Sequence, residues 1–102
     1  MSRIEPIKKM LAAEPDDVFL NFSLAMEYVK ADRPDDALEQ FRQVSRIDPD
    51  YIPAYFQQGR MMIALERHDE ARTVLAQGVA VAERIGDTHA VAEMNETLAA
   101  LG

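Results

Sequence analysis

The chain has 102 residues, 48% of them hydrophobic and 28% charged, and its 18 Asp plus Glu against 11 Lys plus Arg give a formal charge of −7. That balance fits one folded domain with one core, outside the charge-dominated disordered class, and its negative surface disfavours nucleic acid and anionic membranes as partners. With no cysteine, neither a disulfide nor thiol chemistry is available.

Met1 to Leu11 carry Arg3, Glu5, Lys8 and Lys9 and lack the apolar run of an export signal. No later stretch approaches the roughly 18 apolar residues of a membrane span, so a cytoplasmic protein is expected. Ile4, Ile7 and Leu11 form an amphipathic stripe and predict a first helix over 3–13. Pro15-Asp16-Asp17 marks the start of a second helix, 17–31, whose packing stripe is Leu24, Ala25 and Tyr28. Asp32-Arg33-Pro34 then breaks the chain. Proline suits the first turn of the third helix, 34–47, because its missing N–H had no intrahelical partner. Ala37, Phe41 and Val44 give that helix an i, i+4, i+7 stripe.

After the Asp48-Pro49-Asp50 seam, a fourth helix is expected over 51–65 and a fifth over 69–85, the latter facing its predecessor with Ala71, Leu75 and Gly78. Between them a turn is placed near Glu66 to Asp69, with neither proline nor glycine. Gly86-Asp87 reads as a stop followed by a cap. The closing helix, 88–101, carries Val91, Met94, Leu98 and Leu101 on one face and Glu93 and Glu96 outward.

Shifting the chain by 34 residues superposes Pro15 on Pro49, Asp16 on Asp50, Phe22 on Phe56, Arg33 on Arg67, Asp35 on Asp69, Ala37 on Ala71 and Gln43 on Gln77. Small residues recur where helices must touch. Ala25 and Gly59 fall within the first helix of each unit, and Ala37 and Ala71 near the start of the second; only small side chains let helix axes approach to about 8 Å. The first unit then reads Asn21, Leu24, Ala25, Tyr28, Ala37, Phe41, Pro49, and the second reads Tyr55, Gln58, Gly59, Met62, Ala71, Leu75. This pattern resembles the tetratricopeptide repeat, with departures at Asn21, Gln58, Met62 and Glu83. The resemblance covers at least residues 15–82. It implies an all-α, right-handed α-α superhelix of helix-turn-helix units: an N-terminal capping helix in 1–14, units in 15–48 and 49–86, and a C-terminal capping helix in 87–102, together one domain.

Catalytic chemistry is not foreshadowed, and no cofactor or metal is expected. His68 and His89 both fall at predicted helix starts, and His89 with Glu93 supplies too few ligands for a metal. Asp16-Asp17 and Asp35-Asp36 lack the continuation of a calcium loop and read as helix-start acids that complement the dipole.

The resemblance further implies a concave groove lined by the first helices of successive units, and a non-catalytic adaptor or scaffold that binds a protein or peptide there. The groove positions are Phe19, Phe22, Met26, Val29 and Lys30, followed by Phe56, Gln57, Arg60, Ile63 and Ala64, with His89, Ala92, Glu96 and Ala99 matching on the closing helix. Where some family members carry the lysine and asparagine that grip a terminal carboxylate, this chain has Phe22 and Met26. Arg60 and Lys30 are the groove cations, so an amphipathic or extended apolar segment suits it better. The alternative is a self-associating structural unit, a homo-oligomer burying the same groove or the repeat ends. Gln43 and Arg72 are expected on the outer surface, indifferent to both binding and stability.

Overall fold

The structure is a computed structural model and describes residues 2–102; Met1, the first residue of the expected N-terminal element, lies outside them. The described residues form six α-helices and no strand: α1 Ile4–Ala13, α2 Val18–Lys30, α3 Pro34–Ile47, α4 Ile52–Ala64, α5 His68–Ile85 and α6 Thr88–Leu101. None of them is long and apolar enough to cross a membrane. The fold is an all-α helical repeat. Two compact units emerge, one built from α1, α2 and α3 and ending at Pro49, the other running Asp50–Gly102.

In the first unit α2 packs against both α1 and α3. Ile4 and Ile7 bury the inner face of α1, and the Ile4 N–H donates to Ser2 Oγ at 3.1 Å, which satisfies one of the orphan donors of that helix end. Asp17 caps α2, its Oδ1 accepting from the Leu20 N–H at 2.8 Å. Leu24, Ala25 and Tyr28 of α2 then meet Ala37, Leu38, Phe41 and Val44 of α3 in a core where Phe41 is wholly buried. Burial of a ring of that size is worth roughly 2 to 3 kcal/mol.

In the second unit α5 is the central element, packed against α4 and α6. Ala71, Val74, Leu75, Gly78 and Ala82 form its buried stripe. Two glycines set the approach of its neighbours. A Cβ on Gly59 would lie 2.6 Å from the Leu75 side chain, and one on Gly78 would lie 2.6 Å from Met94 Sδ and 2.8 Å from Tyr55 Cβ. Gly86 ends α5 in the left-handed region at φ 89°, and Asp87 starts α6 by accepting from the Ala90 N–H at 3.0 Å.

The repeat is written into the backbone at its two inner turns. Asp32 at φ 57° and Glu66 at φ 59° are the described non-glycine residues in the left-handed region, 34 positions apart. Each is followed by an arginine whose N–H reaches back five residues, Arg33 to the Tyr28 carbonyl at 3.0 Å and Arg67 to the Met62 carbonyl at 2.8 Å. Both arginines also clasp an acid three residues on, Asp36 and Glu70 respectively. The second turn therefore lies at Leu65 to Arg67 and α5 begins at His68, one residue before the expected start.

Candidate functional site

On α2 the residues outside the packing stripe differ among themselves. Phe19 is 72% exposed, whereas Phe22, Met26 and Val29 are half-buried. The Phe22 ring lies 5.5 Å from that of Phe41 at a tilt of 58°, so it contributes to the packing of α2 on α3 as well as to the surface. Beside Phe19 an open hollow is bounded by Met10, Ala13, Glu14 and Leu20, and Met10 is itself 45% exposed.

The Lys30 side chain is 69% exposed, and its Nζ bonds to Glu27 Oε2 at 3.1 Å. Glu27 is buried, a position that the apolar periodicity of α2 did not single out. The hydrogen bond from the Lys30 ammonium holds its carboxyl below the usual carboxylate range; burial works against this, and the Lys30 charge and the Arg3 backbone N–H support it. Asn21, where the sequence departs from the repeat pattern, is another buried polar group. Its Nδ2 donates to the Pro15 and Asp17 carbonyls at 3.0 and 2.8 Å, and its Oδ1 accepts from Gln40 Nε2 at 2.6 Å. It thereby ties the loop before α2 to α3.

On α4, Phe56, Gln57 and Ile63 are half-buried, while Arg60 and Ala64 are exposed. The Arg60 guanidinium lies 5.7 Å from the centroid of the Phe56 ring, a cation–π geometry that holds the charge at the surface. Next to Phe56 a cavity of about 220 Å³ opens between α4 and α6. Ile52 and Phe56 form its half-buried wall and the buried Ala90 and Met94 its floor. The exposed Asp87, His89 and Glu93 stand on its rim. Ala92, Glu96 and Ala99 of α6 are exposed as well. Among the described residues no group of three or more His, Asp or Glu side chains is placed to hold a metal ion.

Arg72 departs from the sequence expectation. Rather than an indifferent surface residue, it pairs with Asp69 at 2.8 Å and donates from Nη2 to the Leu101 carbonyl at 3.0 Å, so it fastens the end of α6 to α5. Register cannot foretell this contact, because its acceptor is a main-chain carbonyl 29 positions away.

The tetratricopeptide repeat family model matches residues 28–84. A TPR repeat-containing protein of Pseudomonas aeruginosa is 33% identical over 91 residues, which cover 89% of this chain and 87% of that one. The solution structure of a tetratricopeptide repeat domain protein from Salinibacter ruber superposes with a TM-score of 0.80 at 32% identity, over 85% of this chain and 88% of that one. At 15% identity, the TPR2B domain of yeast Sti1, solved as a complex with pHsp70, shares the fold with a TM-score of 0.87, over 96% of this chain and 78% of that one.

Proposed function

The chain belongs to the tetratricopeptide repeat family, and from that premise we propose that it is a non-catalytic adaptor or scaffold that holds a segment of another protein at the groove positions of the first helices of its repeats, those of α4 above all. The repeat is generally a protein-interaction fold. The observation that carries the reading is Phe56 under Arg60 beside the cavity, where an apolar ring, a hollow and a positive charge lie within one unit. An apolar side chain gains by leaving water there, and a charge-assisted bond to the guanidinium fixes its orientation.

Capture from the native lysate tests this. Phe56→Ala and Arg60→Glu should each weaken retention of a protein partner about tenfold while leaving the helical spectrum unchanged, and Gln43→Ala should not. Arg72→Ala is unsuitable as the control, since Arg72 holds the end of α6. Equal loss from Gln43→Ala would refute the assignment.

One observation favours self-association as a second reading. Phe19 and Met10 are among the exposed large hydrophobic residues and border one hollow of the first unit. Concentration-dependent light scattering separates the two readings: a dimer weakened by Phe19→Ser supports this one, and a monomer at every concentration removes it.

A further inference from the structure

We propose that the cavity between α4 and α6 takes an apolar side chain flanked by a lysine or arginine, so that the partner presents a basic-apolar segment. This rests on the peptide-holding reading above and names the chemistry of what is held. The apolar half of the argument is the floor of Ala90 and Met94 and the wall of Ile52, Pro53 and Phe56, with the Gln57 amide and the His89 ring as the uncharged polar groups at its edge. The charged half is the rim, where Glu93 and Asp87 are exposed. Asp87 commits one oxygen, Oδ1, to the Ala90 N–H that starts α6.

That negative charge is not neutralised from within. The second unit has eight Asp or Glu and four arginines, with no lysine. Three of those arginines are taken up elsewhere, Arg67 with Glu70, Arg72 with Asp69 and Arg84 with Asp50. The fourth, Arg60, lies over Phe56. An incoming cation is therefore drawn to the α6 side of the cavity, while Arg60 on the α4 side is left for a hydrogen-bond acceptor of the same segment, which gives the bound segment a direction. At long range the −7 charge of the whole chain steers the same kind of partner toward it.

A randomised peptide library selected on the full chain, followed by anisotropy measurements on the enriched peptides, tests the proposal. Enriched sequences should pair an apolar residue with an adjacent Lys or Arg, and raising the salt should weaken them. Glu93→Gln should reduce their affinity about three- to tenfold and Glu93→Lys further, with the helical spectrum unchanged in both. If the enriched peptides lack a basic residue, or bind Glu93→Lys as well as the parent while losing affinity for Phe56→Ala, the basic-apolar assignment is overturned and the peptide-holding function stands. Should nothing be enriched and the chain remain monomeric, both fall. A dimer that Glu93→Lys dissolves would put a second copy in the cavity and overturn the proposal in favour of self-association.

Discussion

At Glu27 a carboxylate occupies an inward position of α2 that an apolar residue would ordinarily hold, and donors from two sides make it tolerable: the Lys30 ammonium and the Arg3 backbone N–H. Because its folded-state affinity for a proton is lowered below that of the free carboxyl at 4.5, ionised Glu27 favours the folded chain. The contribution is fully present above about pH 4.5 and is lost as the pH falls through the lower folded value. Urea midpoints measured from about pH 6 down to pH 3 should therefore fall less steeply for Glu27→Gln than for the parent, and equal slopes would remove Glu27 from the acid response. Glu27 and Asn21 also mark the limit of periodicity as a guide. A 3.6-residue stripe finds the side chains that pack by shape, such as Leu24, Tyr28 and Phe41. It is blind to a buried polar group whose place depends on a backbone donor or carbonyl supplied by the neighbouring turn.

The helices themselves were largely legible, because their ends are specified by local chemistry. Asp17 and Asp87 cap as their position before an apolar run implies, and Gly86 adopts the positive φ that a left-handed stop requires. The joint between α4 and α5 was harder. Glu66 takes a left-handed conformation without being glycine, so only its register with Asp32 betrays it. Packing between helices makes the sharper demand. At Gly78 an added methyl meets the flexible end of Met94, which can swing aside, and also Tyr55 Cβ, which is fixed close to its own backbone. Gly78→Ala should consequently destabilise the chain by about 1 to 3 kcal/mol despite alanine's better helix propensity, read as a lower urea midpoint. An unchanged or raised midpoint would mean that α4 and α5 can move apart without penalty.

For the molecule as a whole, α6 closes the second unit: Met94 is 1% exposed, and it packs against Gly78 on α5. Deleting residues 87–102 would uncover the apolar stripe of α5, and the truncated chain should melt at a lower temperature and associate in light scattering. A truncated chain as stable and monomeric as the parent would deny α6 that role. The candidate groove positions were legible as helix positions but not as surroundings. Spacing located Phe56 and Arg60 on one side of α4, whereas the cavity beside them is lined by α4 and α6, two helices that each pack on α5, and pairings such as Lys30 with Glu27 depend on rotamers that no repeat period encodes. The twin joints carry a consequence of another kind. Asp32 and Glu66 share a backbone conformation, the same five-residue return bond follows each, and an arginine-to-acid clasp closes both. The stretches 31–36 and 65–70 thus give the backbone one instruction in two spellings, one with proline and one without. The freedom to drift in sequence at these joints is bounded by what a left-handed residue followed by an arginine will tolerate.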